Sequence, residues 1–489
     1  MQVNQDELSN IYDGYSISET GADRWGEKYP IILRAFGNPD YRPPLCAWLC
    51  AGSIKIVGYS VFSGRLPSAI LGCISLLLLY VVSNKIGGKL FAFFALLFAA
   101  LSPWHILFSR MAHEGAILPA FFMILTLYLW LKVKEHNYLN VYLILLGLTI
   151  GIATNVYQST KLIFLLISIL IVVEIFKKAI SGIEKIAVFA LSVFVGALPQ
   201  MIAAIKYPEH FFSRANGTMV EFSWSFEYFQ NFFSKFFSNI SPHFLFYSFG
   251  EFNNLTIARL LTVEALFFYI GLVAFFMLFR KTKTMNPLYL YILLVVAILP
   301  SALTYDSPHA LRASSLIIVC PIFSAAGIVF VLSRIKNTLH QKVFIIASTV
   351  LIFYNGLFLL NRYTDNTALT EAGQQNVMVL ISEKLNTFQK DYSKVYIEDI
   401  GNQPYLYVAS YCNMHPKEFQ ASEKKLDDSG FDHFTQMGKY FFYNRENIES
   451  VMNDKTDKHL FFLHTKSNQG ILVDSMDAYG RAYYFYKNQ

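Results

Sequence analysis

The chain has 489 residues, of which 54% are hydrophobic, 16% aromatic and only 15% charged. This composition excludes an ordinary soluble enzyme and predicts a multi-span membrane protein. The net charge of +6 is small for the length and does not suggest nucleic-acid binding. The five cysteines lie mostly in apolar stretches, so they support neither a disulfide framework nor a zinc site.

The first 64 residues are predicted to form a polar extracytoplasmic segment with interfacial helices. An adjacent acidic pair, Asp6 and Glu7, opens this segment, and Arg42 precedes two prolines further on. Two carboxylates can take a proton from a nucleophile, and an arginine fixed by prolines can hold an anionic leaving group. The alternative is that Asp6 and Glu7 only stabilise the start of a first helix. The apolar run at 46–58 is too short to cross a bilayer and predicts a helix lying in the interface.

Residues 65–361 are predicted to form a bundle of about ten transmembrane helices. Ten apolar runs are long enough to cross roughly 30 Å of hydrocarbon. They lie near 65–85, 89–107, 115–132, 139–156, 162–176, 186–204, 262–279, 287–303, 313–332 and 343–361. Between the sixth and seventh runs, the loop 205–261 is rich in aromatic residues, which is typical of segments at a membrane surface.

Lysine and arginine are distributed unevenly between the two sets of connections. One set of alternate loops holds thirteen of them, and the opposite short loops hold Arg110, Lys161 and Arg312. The positive-inside rule therefore predicts that residues 1–64, the loop 205–261 and the C-terminal part are extracytoplasmic. Because no span or signal peptide precedes residues 1–64, we expect a further N-terminal helix to be missing from this chain.

After residue 361 the composition changes, and 362–489 are predicted to form a small α/β domain outside the membrane. A helix is expected at 372–389. Strands are expected at 395–397, 405–408, 440–443, 460–464, 471–473 and 483–486. The pattern suits a lid or an acceptor-recognition domain, and the sequence does not distinguish between these two roles.

Several short motifs follow one another in a characteristic order. They are Asp6-Glu7, Pro43-Pro44-Leu45, Gly64-Arg65-Leu66-Pro67-Ser68-Ala69, Ser102-Pro103-Trp104-His105, Phe108-Ser109-Arg110, Ser241-Pro242-His243-Phe244-Leu245-Phe246 and Pro308-His309-Ala310-Leu311-Arg312. In this order they resemble the polyprenyl-phosphate-sugar glycosyltransferases of the protein mannosyltransferase and aminoarabinose transferase group. The resemblance implies the C-type membrane fold of glycosyltransferase family 39, whose members begin with one further span.

The same resemblance implies an inverting glycosyltransferase. It would move a sugar from a polyprenyl-phosphate carrier to an extracytoplasmic acceptor, which is a protein, a lipid or a cell-envelope glycan in related proteins. Asp6, next to Glu7, would be the general base that deprotonates the acceptor. Arg42 would contact the lipid phosphate, although an arginine that extends to lipid headgroups is the alternative.

Further binding residues are implied along the membrane part. Glu114, near Arg110, would be a second carboxylate for acceptor or sugar hydroxyls, with His113 or a simple helix cap as alternatives. Tyr157 and Lys161 match an outer turn that faces the donor in relatives, but a lysine at a span end is ordinarily a membrane anchor.

Three further binding residues are implied later in the membrane part, namely Glu251, His309 and Arg312. Glu251 occupies a position where relatives often have aspartate. Arg312 would contact the phosphate and His309 would orient it, unless Arg312 only pairs with Asp306.

Tyr41 departs from the family pattern, because some relatives carry there an acidic residue that contributes to a metal site. We therefore predict that no metal and no other cofactor is required. The competing hypothesis for the whole protein is a transporter or flippase of lipid-linked sugars. Transporters usually place polar groups near the bilayer midplane, whereas the rare polar groups here gather at one face.

Overall fold

The computed structural model describes residues 3–37, 40–180, 182–247, 258–282, 286–366, 372–399, 403–426, 433–453, 457–478 and 481–488. The chain forms two compact units. The mixed unit comprises Met1–Tyr41, Ala47–Gly64 and Asn366–Gln489. The helical unit comprises Arg42–Cys46 and Arg65–Asp365. Residues 1–64 thus contribute to both units.

The N-terminal part begins with helix α1 (Gln5–Thr20). Asn4 caps this helix by accepting a hydrogen bond from the Glu7 N–H at 2.8 Å, and Gly21 ends it with φ of 69°. Two short strands, β1 (Leu33–Arg34) and β2 (Tyr41–Arg42), and helix α2 (Leu45–Val57) follow. Helix α2 matches the helix expected at 46–58.

Helices make up nearly all of the helical unit. They are α3 (Val61–Leu101), α4 (Pro103–Ser109), α5 (Ile117–Glu135), α6 (Asn140–Ala153), α7 (Gln158–Lys178), α8 (Gly182–Lys206), α9 (Pro208–Thr218), α10 (Phe226–Ser238), α11 (Glu264–Phe279), α12 (Leu288–Ala302), α13 (Leu316–Arg334) and α14 (Thr338–Asn366). In the described ranges, six helices are long and apolar enough to cross a membrane, namely α3, α5, α7, α8, α13 and α14. Helices α6, α11 and α12 are apolar but shorter.

Helix α3 contains two of the expected spans. Gly88, with φ of 81°, interrupts its 41 residues and separates the run at 65–85 from the next. The second run was predicted to continue to residue 107, which is wrong. It ends at Leu101, because Ser102 is extended and Pro103 starts the separate helix α4.

The aromatic loop contains an amphipathic helix. In α10 the side chains of Phe226, Phe229, Phe233 and Phe237 are exposed, and their spacing of three or four residues puts them on one face. An exposed aromatic face of this kind is typical of a helix at a membrane interface.

The C-terminal part of the mixed unit is an α/β structure. Its elements are α15 (Ala372–Phe388), β3 (Lys394–Glu398), α16 (Pro404–Tyr411), α17 (Pro416–Ala421), β4 (Lys424–Leu426), β5 (Phe434–Met437), β6 (Tyr440–Tyr443), α18 (Arg445–Val451), β7 (His459–Leu463), β8 (Ile471–Ala478) and β9 (Arg481–Lys487). The sheet has the order β4-β5-β6-β3-β7-β9-β8. Strand β3 lies at its centre, parallel to both β6 and β7.

One predicted strand of this domain is wrong. Residues 405–408 form part of helix α16, which Pro404 starts. The four apolar side chains from Tyr405 to Val408 are all buried, so no alternation of exposed and buried positions distinguishes strand from helix. The short elements β4, β5, α17 and α18 were not expected.

Helix α1 packs against α16 and α17 within the mixed unit. The Tyr12 hydroxyl donates to the Met414 carbonyl at 3.0 Å. The Gln420 amide donates to the Ser16 hydroxyl at 3.0 Å and to the Asp23 carbonyl at 2.9 Å. These contacts fix the helix that carries the acidic pair against the C-terminal domain.

Candidate functional site

A cavity of about 100 Å³ lies in the helical unit and brings together two predicted site residues, Tyr157 and Arg312. Its wall consists of Tyr157, Gln158, Ser159, Leu162, Thr218, Met219, Pro300, Leu303, Thr304 and Arg312. The start of α7, the end of α9 and the end of α12 with the following turn supply these residues. One cation, one phenol and several hydroxyl groups therefore share a small enclosure.

A single guanidinium nitrogen of Arg312 makes its side-chain hydrogen bonds to the described residues. Its Nη1 donates to Thr304 Oγ1 at 2.9 Å and to the Asp306 carbonyl at 2.8 Å, and lies 3.8 Å from Asp306 Oδ2. The other guanidinium nitrogens make no hydrogen bond with any residue that the structure describes. The alternative ion pair with Asp306 thus exists, but Asp306 is 65% exposed, so the attraction is weak.

His309 belongs to the same group of contacts. Its Nε2 lies 3.3 Å from Asp306 Oδ2, and its backbone N–H donates to the Ser301 hydroxyl at 2.9 Å. His309 is buried, and it does not itself line the cavity. It therefore orients Asp306, which in turn contacts Arg312.

Tyr157 connects the cavity to a buried charged pair. Its ring packs edge-on against His113, with ring centroids 6.3 Å apart. A Cβ atom at Gly115 would lie 3.1 Å from the same ring, which is tighter than an ordinary van der Waals contact, so glycine suits this close approach. Through these contacts the short segment 113–115 is fixed against the start of α7.

The buried pair is Arg42 and Glu114. Arg42 Nη1 lies 3.6 Å from Glu114 Oε2, and each side chain is only 1% exposed. His113 Nδ1 also lies 3.6 Å from this carboxylate and accepts a hydrogen bond from the Gly115 N–H at 3.0 Å. The Glu114 carboxylate thus lies against the Arg42 guanidinium, and truncating either side chain would remove this buried contact.

Lys161 lies one turn after Tyr157 in α7. Its Nζ is buried 3.5 Å from the centre of the Phe211 ring and has no hydrogen-bond partner in the described part of the chain. Arg110 is different, because its exposed side chain at the end of α4 does not line the cavity. Glu251 lies outside the described residues.

The predicted catalytic pair lies in the mixed unit, in the first turn of α1. Glu7 is fully buried and Asp6 is half-buried. Both positions therefore suit the alternative hypothesis of helix stabilisation, and only Asp6 is accessible to a substrate. That Asp6 is the general base stays a prediction.

The sequence interpretation missed Tyr407 on α16. Burial raises the pKa of its phenol well above the usual value, and the nearby Tyr411, Asp6 and Glu7 raise it further. A neutral phenol can donate a hydrogen bond. Residues 400 positions apart in sequence gave no local signal for this proximity.

Comparisons with known proteins agree with this architecture. The family model described as dolichyl-phosphate-mannose-protein mannosyltransferase matches residues 41–202, about a third of the chain. The structure of ArnT from Cupriavidus metallidurans bound to undecaprenyl phosphate matches with a TM-score of 0.60 and 11% identity, over 100% of this chain and 94% of that one. The fold is that of ArnT. The resemblance predicted from the motifs is thereby confirmed, as is a multi-pass membrane protein with a C-terminal α/β domain.

Two further structures are similar to this ArnT-like fold. ArnT from Cupriavidus metallidurans in the apo state has a TM-score of 0.58 at 11% identity, with 100% and 94% of the two chains covered. The apo oligosaccharyltransferase from Archaeoglobus fulgidus has a TM-score of 0.50 at 13% identity, with 84% of this chain and 60% of that one covered. No curated protein sequence matches the chain.

The requirement for a metal is not tested. Within the described ranges, no three His, Cys, Asp or Glu side chains come together as metal ligands. That the protein needs no metal stays a prediction.

Proposed function

We propose that this protein is an inverting glycosyltransferase that moves a sugar from a polyprenyl-phosphate carrier to an extracytoplasmic acceptor. The observation that carries the proposal is the cavity with Arg312 in its wall, where guanidinium N–H groups remain available to an anion. A forked donor of this kind suits phosphate oxygens. The ArnT structure of the same fold contains undecaprenyl phosphate, which supports a lipid-linked phosphate as donor.

The proposed reaction is a single displacement. An acceptor hydroxyl attacks the anomeric carbon, the bond from that carbon to the phosphate oxygen breaks, and the polyprenyl phosphate leaves with the electron pair. The Asp6 carboxylate takes the hydroxyl proton. A positioned base contributes about 10² to 10⁴ in rate, so stabilisation of the departing phosphate has to supply much of the remainder.

The helical unit would supply that stabilisation. Arg312 contacts the phosphate, and Lys161 provides a second buried basic group one turn beyond Tyr157. Arg42 acts indirectly, because its guanidinium neutralises Glu114 and holds that carboxylate in place for sugar or acceptor hydroxyls. The acceptor is a protein, a lipid or a cell-envelope glycan.

The test separates binding of the lipid phosphate from transfer of the sugar. Binding of undecaprenyl phosphate is measured in nanodiscs, and transfer is measured from undecaprenyl-phosphate-linked mannose, glucose and aminoarabinose into host envelope material. Asp6→Asn should abolish transfer but keep binding. Arg312→Ala removes a charge-assisted contact worth about 1.5 to 3 kcal/mol, so binding should weaken by roughly one to two powers of ten.

Arg334→Ala is the matched control, because Arg334 ends α13 and its guanidinium stacks over Phe330 away from the cavity. Arg334→Ala should change neither the binding of undecaprenyl phosphate nor the transfer of the sugar. Wild-type transfer by Asp6→Asn would remove Asp6 from the reaction. Transbilayer movement of the lipid without sugar transfer would instead support the transporter hypothesis, since transport includes no deprotonation of an acceptor.

A further inference from the structure

The mixed unit contains a second and larger cavity that the proposed reaction does not use. It has a volume of about 620 Å³, within the range of roughly 300 to 1,000 Å³ usual for ligand sites. It lies where β7 ends and β9 begins, with α15 contributing one side chain. Its wall consists of Val377, His464, Thr465, Lys466, Arg481, Ala482, Tyr483 and Tyr484.

The charge of this wall is one-sided. Lys466 and Arg481 carry positive charge, and none of the described residues that line the cavity is acidic. Neither Lys466 nor Arg481 forms an ion pair with a carboxylate in the part of the chain that the structure describes. The cavity therefore favours a ligand that carries negative charge.

The two ring nitrogens of His464 lie in different surroundings. Its backbone N–H and Nδ1 both contact Glu398 Oε2, at 2.7 Å and 3.1 Å. Nδ1 is thereby the donor, while Nε2 is buried and has no hydrogen-bond partner among the described residues. Burial alone would raise the pKa of Glu398, but the hydrogen bonds from His464 and the charge of Arg445 bring it below the usual value, so the carboxylate stays ionised.

The loop that carries these groups is held rigidly. Arg445 donates from Nη1 to the Thr465 carbonyl at 3.2 Å and from Nη2 to the Lys466 carbonyl at 3.0 Å. The Tyr483 ring is stacked on Phe462 and lies edge-on to His464, with centroids 6.1 Å and 5.8 Å apart. A ligand would thus meet polar groups that are already in position, which lowers the entropy lost on binding.

The surroundings of the cavity favour a saccharide over an added peptide strand. Strands β7 and β9 are each paired on both sides, so neither offers a free edge to an added peptide strand. A histidine ring, a threonine hydroxyl and two tyrosines instead suit a ligand with many hydroxyl groups. We infer that this cavity, with His464, Lys466 and Arg481 in its wall, binds an anionic saccharide, carboxylated or phosphorylated.

This inference goes beyond the proposed transfer reaction and does not depend on it, since it concerns binding alone. Calorimetry on the full chain in phosphatidylcholine nanodiscs, which carry no net charge, tests it with five probes. They are trigalacturonate, mannose 6-phosphate, neutral maltotriose, inorganic phosphate and a triglutamate peptide. Binding of trigalacturonate or mannose 6-phosphate is expected, and the first two probes show which anionic group the site prefers.

Substitutions in the cavity wall test whether the ligand binds there. Lys466→Ala and Arg481→Ala should each weaken it about tenfold or more, because each removes a charge-assisted contact. His464→Asn keeps a donor near the Nδ1 position for Glu398 but removes the rest of the ring from the cavity wall, and it should weaken binding similarly while the domain stays folded. Lys425→Ala is the matched control, because Lys425 lies on β4 at the opposite edge of the sheet and should leave binding unchanged.

Four outcomes would overturn the inference. They are the absence of binding by both charged saccharides, equal binding of maltotriose, equal binding of inorganic phosphate or triglutamate, and insensitivity of binding to both Lys466→Ala and Arg481→Ala. An equal effect of Lys425→Ala would show that general surface charge, rather than this cavity, attracts the ligand.

Discussion

The N-terminal part of the mixed unit contains a group of buried charged residues, Asp13, Asp23 and Arg24. Arg24 Nη1 donates to Asp13 Oδ2 at 2.9 Å and to the Ser9 hydroxyl at 2.6 Å, and Arg24 and Asp13 are both almost fully buried. Asp23 lies next to this pair and is also buried. Burial and the charge of Asp13 raise the pKa of Asp23 to about 7, against the hydrogen bonds from the Glu27 and Trp25 N–H groups.

This pKa predicts that stability depends on pH. In the unfolded chain an aspartate has a pKa of about 3.9, so between roughly pH 4 and pH 7 the folded protein binds the additional proton. The stability that Asp23 contributes is therefore complete below pH 4 and is lost as the pH rises toward 7. Asp23→Asn should remove this slope and raise the melting temperature at pH 8, measured by thermal unfolding in detergent at pH 5 and pH 8.

Asp477→Asn provides the control for this measurement, because Asp477 is exposed in β8 of the same unit. It should shift the melting temperature equally little at both pH values. If Asp23→Asn unfolded with the pH dependence of the unmodified protein, the titration of Asp23 would not contribute to stability.

Two helices of the helical unit, α11 and α13, pack closely against each other at glycine residues. A Cβ atom at Gly271 in α11 would lie 1.7 Å from the Phe323 carbonyl oxygen of α13, and one at Gly327 would lie 2.0 Å from the Phe267 carbonyl oxygen. Both clashes involve backbone atoms, which cannot move independently of their helix. Small residues allow close packing of membrane helices, where lipid gives little hydrophobic drive for association.

Gly271→Ala should therefore destabilise the helical unit strongly. Overpacking of a core typically costs about 1 to 3 kcal/mol, and a clash with backbone belongs at the upper end or beyond. The expected result is a clear loss of melting temperature in detergent. Gly217→Ala in α9 is the control, because no atom lies within 4 Å of its added Cβ and stability should not fall. Equal stability of both variants would show that α11 and α13 are not closely packed.

At the scale of the whole molecule, the distribution of basic residues predicts that residues 1–64 and the C-terminal domain face outward. Lys28→Cys and Lys458→Cys should react with a membrane-impermeant thiol reagent in intact cells, whereas Lys336→Cys should be protected. All three positions are exposed. A Cys73→Ser background removes the exposed native thiol, since the other four cysteines are buried. Protection at 28 and 458 with labelling at 336 would reverse the predicted orientation.

The amino-acid sequence determined the features that depend on neighbouring residues. Long apolar runs predicted the spanning helices, and the alternating C-terminal segments predicted most of the strands around β3. These features follow from local hydrogen bonding and from the transfer of apolar side chains out of water, which short windows of sequence reveal. The order of the motifs also indicated the fold that the ArnT structures share.

Only the tertiary structure decided which distant residues meet. It paired Arg42 with Glu114, placed Tyr157 and Arg312 in one cavity, and joined α1 to a domain some 400 residues later. The apolar run at 405–408 forms a helix that starts at Pro404, and its burial on all sides removes the alternation that would distinguish strand from helix. Such contacts depend on packing and loop closure across the chain, and the local sequence pattern contains no information about either.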